Sequence, residues 1–334
     1  MFICFKRKKG ATLIELLVAL FISAILVAGI YSLFITQQRS YSVQDQVAAV
    51  QQDARAAITL MARELRMAGF LTGPGSSGGF TDGSDTFSIN GYNFAVVPSN
   101  STNGPDSITV VFAAKELGEV ESIGSGSVTL DRNVDNYFKT NGTLNPTKCY
   151  VSFETLGGRI FRVTNVSTSQ GKTILTLSSF EPGEIDIGEK VFGVKAITYT
   201  LNADHSELER NENTGGGAQA IAGAAGEFEV VEDLQIAYQV EGVSYWTFDG
   251  VTETAKGEIN DSTLPSDNTH IRLIRINLVV RTPREDPEEV KKPPDQRSYY
   301  RPAVEDHPAS NTRDGHRRRI LTTVVKVRNL GLVQ

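Results

Sequence analysis

The stretch KRKKGATLIELLVALFISAILVAGIYSLF, residues 6–34, decides how the rest of the chain is interpreted. Four consecutive cations precede an apolar run in which Glu15 is the only charged side chain between Ala11 and Ile35. A helix of that length and composition crosses the roughly 30 Å hydrocarbon core of a bilayer. Because cations remain on the cytoplasmic side, the basic flank predicts a cytoplasmic N-terminus and export of everything that follows.

The lone carboxylate of Glu15 needs an explanation, because an acid at the centre of a membrane helix costs roughly 2.5–3.5 kcal/mol and somewhat less near its end. One explanation is local: Thr12 and Glu15 have the spacing of a capping box, in which the acid satisfies a backbone N–H of the first turn. The other is that Glu15 pairs with a cation of another chain. A secretory signal explains the run less well, since Val27-Ala28-Gly29 is a weak cleavage site and apolar residues continue beyond it.

The order Gly10-Ala11-Thr12-Leu13-Ile14-Glu15, after a basic leader and before a long apolar run, resembles the class III signal of type IV prepilins and pseudopilins. The resemblance implies that a prepilin peptidase removes the leader, residues 1–10, by cutting after Gly10, and then methylates the amine of Ala11. It also favours the second explanation of Glu15, in which this carboxylate acts in assembly. Ala11 stands where phenylalanine is usual in the family, so the methylated residue would be N-methylalanine.

The sequence beyond the apolar run turns polar but keeps a helical period. Its apolar residues recur every three or four positions, which predicts one buried stripe. The stripe consists of Val43, Val47, Val50, Ala54, Ile58, Met61, Leu65 and Ala68. We predict one long helix that ends at a Gly69 C-cap: a transmembrane and filament-core segment over 11–35, and an amphipathic continuation over 36–69 that packs on a globular head. A coiled-coil dimer is the alternative use of the stripe.

Two further segments resemble PilW-type minor pilins: RELRMAG at the end of the helix, residues 63–69, and RRILTTVVKVRNL at 318–330. The resemblance implies a minor pilin of a type IV pilus. Its partners would be the prepilin peptidase, other major and minor pilins contacted through the N-terminal helix, and an inner-membrane assembly platform. Its place would be in filament priming or at the tip. The alternatives are a J-type minor pseudopilin of type II secretion, which shares these features, and a membrane-anchored periplasmic enzyme or adhesin that uses the helix only as a tether.

Residues 70–334 predict a β-rich head. Short runs with alternating apolar residues are typical of half-buried antiparallel strands. The predicted strands are Ser107–Ala113, Cys149–Glu154, Arg159–Val163, Thr173–Leu177, Val191–Leu201, Val230–Val240, Ser244–Phe248, Ile271–Arg281 and Ile320–Arg328. Since no β-α-β spacing occurs, the fold class is α+β, type IV pilin-like, with one long N-terminal helix packed on antiparallel sheet.

Two segments interrupt this pattern. Residues 213–226 are rich in glycine and alanine, which predicts a mobile loop or a short helix around 218–225. Residues 282–315 are rich in charges and proline between two strong strands, which predicts a long surface excursion, either ordered or disordered.

Residue patterns that carry chemistry are weak in this chain. The histidines are His205, His270, His307 and His316, and their surroundings predict surface positions without metal-ligand spacing. GSSGG at 75–79 matches G-x-S-x-G literally but lacks a strand–turn–helix context. DRNVDN at 131–136 alternates oxygens as a calcium loop does, but the required glycine and closing acid are missing. We therefore predict no catalytic residue, no metal, no cofactor and no enzymatic activity.

Cysteine use and charge divide at the cleavage site. Cys4 lies in the leader, so processing would leave Cys149 as the single thiol, without an internal disulfide. Cys149 shares a face with Val151 and Phe153, which predicts burial. The leader carries four of the 33 cations and none of the 39 acids, so the mature chain would have a net charge of −10. That charge argues against nucleic acid as a partner. The predicted location is the inner membrane, single-pass with a periplasmic head, and then the pilus filament.

Overall fold

The computed structural model describes residues 12–101, 103–179, 183–204, 206–223, 230–240, 247–248, 251–254, 257–260 and 268–330. By the distribution of contacts the chain divides into two compact units, with the boundary between Ala49 and Val50. Gly10 and Ala11 lie outside the described residues, as does His205.

The first unit consists of the N-terminal part of helix α1 (Leu13–Met67). Gly29, the residue with the weakest helix propensity in this stretch, does not interrupt the helix. The large apolar side chains from Leu13 to Phe34 are exposed within this chain. By length and composition this helix is able to cross a membrane.

The second unit is built mostly of antiparallel strands. In chain order they are β1 (Phe80–Thr81), β2 (Thr86–Phe87), β3 (Val96–Ser99), β4 (Ser107–Gly124), β5 (Ser127–Leu130), β6 (Lys139–Thr140), β7 (Thr143–Leu144), β8 (Tyr150–Phe153), β9 (Phe161–Ser169), β10 (Lys172–Leu177), β11 (Lys190–Leu201), β12 (Leu208–Asn211), β13 (Ala218–Ala222), β14 (Val231–Val240), β15 (Thr247–Phe248), β16 (Val251–Thr254), β17 (Gly257–Asn260), β18 (Ile271–Arg281) and β19 (Arg318–Lys326). Short helices α2 (Asp135–Phe138) and α3 (Pro287–Val290) and 3₁₀ turns at Pro146–Lys148, Asn268–His270 and Pro294–Gln296 connect them.

The largest sheet has the strand order β13-β12-β11-β8-β9-β10-β5-β4-β3, and an additional pairing joins β11 to β4. This extra pairing closes six strands into a ring, β4-β5-β10-β9-β8-β11. At the closure Val191 of β11 pairs with Gly118 of β4 on one side and with Phe153 of β8 on the other. A second sheet has the order β17-β16-β15-β14-β18-β19, so β19 is one of its edges.

The second unit has two apolar cores. Core 1 is formed by the end of α1, from Val50 to Ala68, and by residues of both sheets, among them Tyr199, Ile276 and Val325. Core 2 fills the six-stranded ring, with Phe153, Phe161 and Cys149 among its members. The head is thus a helix-on-sheet body with a separately cored ring between β4 and β11, and the predicted α+β class is confirmed.

The predicted helical stripe is buried from Val50 onward, with Ala54, Met61 and Leu65 at most 1% exposed. Gly69 ends the helix as predicted, with a φ of 77° that favours glycine. Its N–H donates to the carbonyl of Val111 at 3.0 Å, so the helix end is tied directly to β4.

Each predicted strand has a counterpart, and β18 has the predicted bounds; for the strand at 244–248, only Thr247–Phe248 is described. Residues 213–226 were predicted as a mobile loop or as a short helix around 218–225, and the prediction is wrong for 218–222, which form a strand. Ala218–Ala222 is an edge strand paired with β12. Small alanines fit a strand and a helix equally well, so composition did not discriminate between them.

The segment between β18 and β19 folds back onto the second sheet. Its backbone forms isolated bridges between Tyr299 and Asp314 and between Val304 and His307. Its side chains reach β14 and β18, as described below. Residues 282–315 were predicted as a surface excursion, either ordered or disordered, and the structure describes an ordered one.

Candidate assembly site

The first turn of α1 has the geometry of a capping box. The N–H of Thr12 donates to Oε2 of Glu15 at 2.9 Å, and the Thr12 hydroxyl donates to the same oxygen at 3.1 Å. The N–H of Glu15 is 3.4 Å from the Thr12 hydroxyl oxygen. All three bonds join residues three apart in one chain, so the local explanation of Glu15 has direct geometric support.

The second carboxylate oxygen of Glu15, Oε1, accepts no hydrogen bond from the residues that the structure describes. An ionised carboxylate has about four lone-pair sites on its two oxygens. The cap therefore leaves half of the acceptor capacity of this group available. The local cap and a pair with a second chain are compatible.

A second acid of α1, Glu64, is buried where the helix meets the head. It lies within the RELRMAG segment, and the guanidinium of Arg210 on β12 contacts both of its oxygens. Arg210 Nη2 is 2.8 Å from Oε1, and Arg210 Nε is 3.1 Å from Oε2. The hydroxyl of Tyr199 on β11 donates to Oε2 as well. The acid is 9% exposed and Tyr199 is fully buried.

The electrostatics of this cluster follow from burial and pairing. Burial, reinforced by the hydrogen bond to Glu64, raises the pKa of the Tyr199 hydroxyl, so it remains a donor. Burial disfavours the charged form of Arg210, but hydrogen bonds to Glu64 and Glu212 outweigh it and raise the pKa of the guanidinium. A bidentate charged pair of this kind fixes the rotation of the helix end against the sheet.

Glu64 is absent from the functional residues predicted from the sequence. A signal was present, because Glu64 lies three residues after Met61 and four before Ala68, both members of the buried stripe. An acid at a stripe position predicts a buried partner of opposite charge.

The segment 318–330 contacts the C-terminal end of α1. The side-chain amide of Asn329 donates to the carbonyls of Ala68 and Met67, at 3.2 and 3.4 Å. These carbonyls lack partners within the helix. A methyl group on Gly69 would lie 3.2 Å from the side chain of Leu330. The two segments that resemble PilW-type pilins in sequence therefore meet in space.

The outer face of the second sheet carries a buried polar cluster. Asp233 on β14 is fully buried, and its Oδ2 lies 2.8 Å from Nδ1 of His307 and 3.2 Å from Nη1 of Arg301. On β18, Arg275 forms a bidentate pair with Glu305, with Nη2–Oε2 at 2.6 Å. The prediction of a surface role for His307 is wrong, because the excursion packs it against Asp233.

Asp106, in the loop before β4, is buried at the margin of this cluster. Its two oxygens accept the N–H groups of Ser101 and Ile236, at 2.8 and 2.7 Å. Burial, with smaller contributions from the nearby Asp306 and Asp233, raises the pKa of Asp106 to about 7. No residue pattern in the sequence distinguishes this aspartate from the exposed ones.

The other residues and motifs considered in the sequence, Cys149, GSSGG and DRNVDN, are buried or form local hydrogen bonds and ion pairs. The Cys149 thiol is buried, as predicted, and burial raises its pKa to about 11. In GSSGG, the hydroxyl of Ser76 donates to the carbonyl of Gly79 at 2.8 Å and closes a turn. In DRNVDN, Asp131 pairs with Arg132 and Asp135 pairs with Lys139. The described residues contain no group of three or more His, Cys, Asp or Glu able to hold a metal ion.

The basic cluster at 317–319 is mostly paired. Arg317 is 2.6 Å from Asp286, and Arg318 contacts Glu232 and Asp314 at 2.5 Å each. Arg319 is exposed. These cations lie at the start of the edge strand β19.

Two family models match the chain. The prokaryotic N-terminal methylation motif matches residues 5–31, and type IV pilus-assembly protein W matches residues 195–329. The second match starts inside β11, the last strand of the six-stranded ring along the chain, and ends at Asn329, the residue that caps α1. All the ring strands except the end of β11 therefore lie between the two matched regions.

Comparison with curated proteins and with solved structures gives no further close relative. No curated protein matches the chain. Among solved structures, a type IV-like pilin from Thermus thermophilus is 16% identical, over 84% of this chain and 98% of that one. Its TM-score is 0.37, a value at which the likeness carries no structural argument.

The chain thus combines an apolar N-terminal helix, able by length and composition to cross a membrane, with an antiparallel head on which the end of the same helix packs. The predicted resemblance is confirmed: the chain carries the prokaryotic N-terminal methylation motif and a region similar to type IV pilus-assembly protein W.

Proposed function

We propose that the chain is a minor pilin of a type IV pilus, made as an inner-membrane prepilin and assembled after processing with other pilins, in filament priming or at the tip. The observation that carries the proposal is the presence, in one chain, of a methylation motif at 5–31 and a W-type region at 195–329. The first is the feature that a prepilin peptidase reads. The second forms the sheet on which the same helix packs.

The proposed processing site is the bond between Gly10 and Ala11. The leader 1–10 stays in the cytoplasm, the peptidase cuts after Gly10, and the amine of Ala11 is methylated. The apolar segment then holds the mature chain in the membrane, with its head in the periplasm, until an assembly platform transfers it to the filament.

In the filament, we propose that Glu15 pairs with the N-terminal ammonium of a neighbouring subunit. Both charges leave water in a bundle of apolar helices, where one charge without the other costs several kcal/mol. The capping box is compatible with this pairing, because it uses Oε2 of Glu15 and leaves Oε1 open. One axial offset brings the amine and the acid together, so the pair would also set the register of assembly.

The test of this function is the mass and location of the mature protein. We expect the protein from sheared surface filaments to begin at Ala11 and to carry one added methyl group, by N-terminal peptide mass spectrometry. A prepilin-peptidase deletion strain should retain the full-length chain in the inner membrane. A filament-associated chain that begins at Met1 would contradict the proposal, as would a processed chain that remains wholly in the membrane and never enters filaments.

The same experiment addresses the alternatives. A J-type pseudopilin would depend on type II secretion genes for its function, and would be absent from surface pili at native expression. A tethered periplasmic enzyme would not require the methylated N-terminus, so Gly10→Ala, which blocks cleavage, would leave its activity intact.

A further inference from the structure

The free edge of β19 is the longest regular edge among those that the structure describes. It pairs with β18 without a register shift over nine residues, from Leu273 opposite Lys326 to Arg281 opposite Arg318. The other described edges are short or interrupted. β3 has four residues including Pro98, β13 has a register shift in its ladder, and β17 has four residues. Short strands, prolines and bulges are the devices that protect sheet edges from unwanted pairing.

The backbone groups of β19 that face outward follow from the ladder. The N–H of Thr282 donates to the carbonyl of Arg317, and the N–H of Val327 donates to the carbonyl of Arg272. In an antiparallel pair such hydrogen-bonded positions alternate. The odd-numbered residues of β19 therefore bond to β18, and the even-numbered ones direct their N–H and C=O groups to the open side. Among the described residues none accepts or donates a backbone bond there.

The side chains of these even-numbered positions form an apolar strip. Ile320 is 44% and Val324 is 47% exposed, and Thr322 lies between them. The excursion 282–315 covers the same face of β14 and β18, where Glu305 contacts Arg275 and Asn277. The excursion also reaches the start of β19, where Asp314 pairs with Arg318, but it leaves Ile320 and Val324 exposed.

The charges at this edge select the kind of partner. Exposed Arg319, Lys326 and Arg328 lie near the two ends of the strand, and no acid is present from Arg318 to Leu330. No ion pair joins these three cations to an acid of the described chain. The protein as a whole carries a net charge of −6, so this strip is a local reversal of sign. A second copy of β19 would bring cations against cations, whereas a segment with acidic ends would be attracted.

We propose that the edge of β19 binds an extended segment of another polypeptide, which adds a strand beside Ile320–Val324 and places acidic residues against the cations at its ends. Backbone hydrogen bonds would supply affinity, and the apolar strip and the terminal charges would supply selectivity. The proposal is independent of the processing and filament steps above.

A synthetic peptide tests this proposal directly. The probe is fluorescein-labelled EVTVTVTVE, titrated with the full-length protein in detergent and followed by anisotropy. The matched probe KVTVTVTVK keeps the strand propensity and reverses the charge. We expect the acidic peptide to bind about tenfold more tightly than the lysine peptide, since several exposed ion pairs are exchanged for repulsions. That preference should shrink as salt is raised.

Three variants distinguish strand pairing at the edge of β19 from nonspecific binding of the peptide. Val324→Pro removes an outward N–H and leaves the bonds to β18, so it should abolish binding. Arg319→Glu with Lys326→Glu leaves every backbone group in place and should reverse the preference between the two peptides. Ile187→Asp changes an apolar residue that is 70% exposed in the ring region, and should leave binding unchanged.

Three results would overturn the proposal: equal affinity for both peptides, no measurable binding of either, or unaltered binding by both β19 variants. Concentration-dependent dimerisation that Val324→Pro removes, without peptide binding, would instead identify a second copy of the chain as the occupant. That result also rejects the acidic partner.

Discussion

Glu15 and Glu64 stand at opposite ends of the same helix, and their surroundings differ in one decisive respect. Glu64 has a bidentate arginine and a tyrosine hydroxyl supplied by the head of its own chain. The carboxylate of Glu15 accepts hydrogen bonds only from the N–H and hydroxyl of Thr12 among the described residues, and both of these bonds go to Oε2. Glu64 is buried and Glu15 is exposed.

Glu64 serves folding, whereas assembly is the role that we propose for Glu15. The charge of Glu64 is neutralised within the chain, so its contribution ends with the folded head. Glu15 lies in an apolar segment without a cation between Ala11 and Ile35, and in the proposed filament its charge would be balanced by the N-terminal ammonium of another chain.

The largest effect is expected at Glu64. Glu64→Ala leaves the guanidinium of Arg210 in a site with little water, and loss of one partner of a buried pair costs about 3–5 kcal/mol. We expect that loss in urea unfolding of the full-length protein in detergent, followed by near-ultraviolet circular dichroism.

Glu212→Ala is the matched control for this prediction. It removes the other acid bound to Arg210, a half-exposed one, and should cost less than about 1 kcal/mol. Equal effects of the two substitutions would show that Glu64 is no more than a peripheral charge. A double variant, Glu64→Leu with Arg210→Met, should recover most of the lost stability, because a buried ion pair and an apolar pair of similar volume are often equivalent.

A smaller effect on stability, but a selective one on assembly, is expected at Glu15. Glu15→Gln retains a side chain able to accept from Thr12 and removes the charge. We expect a variant that is processed and membrane-resident but poorly recovered in sheared filaments, as measured by quantitative mass spectrometry against the major subunit.

Thr12→Ala is the converse change. It weakens the cap, at a cost of about 0.5–2 kcal/mol, and keeps the carboxylate. Filament recovery close to that of the wild type is expected. If Glu15→Gln assembles normally while Thr12→Ala does not, the cap is the whole function of Glu15 and the cross-subunit pair is refuted.

The sequence predicted the parts of the molecule that rest on periodicity. The apolar run, the stripe from Val50 to Ala68 and the Gly69 cap follow from local chemistry, and the structure contains them. The strand Ile271–Arg281 was predicted with its observed bounds, because alternation along an antiparallel strand is a strong local signal.

What the sequence did not reveal depends on long-range pairing. The closure of the ring requires β11 to pair with β8 and with β4, whose partner residues are distant in the chain. The extension of β4 to Gly124 passes through exposed, charged residues that read as a loop. Likewise the Glu64–Arg210 pair joins residues 146 positions apart, and no local pattern connects them.

The smallest effect concerns a third acid, Asp106, which sharpens the comparison because it is buried without a cation. Its folded pKa of about 7 lies above the ordinary value of 3.8, so the folded state holds a proton that the unfolded state has already released between these two values. Stability therefore falls as pH rises from about 4 to about 7, and stays at the lower value above that range. Because other groups also titrate as pH changes, the contribution of Asp106 is measured as a difference between variants. In urea unfolding between pH 5 and pH 8, the stability of Asp106→Asn should decline less steeply with pH than that of the wild type.

Asp131→Asn is the control, because the pairing of Asp131 with Arg132 lowers its pKa and places its titration below this range. Identical slopes for the wild type and Asp106→Asn would mean that the two backbone N–H bonds to Asp106 keep it ionised throughout, and that burial without a cation costs this aspartate less than the comparison with Glu64 implies.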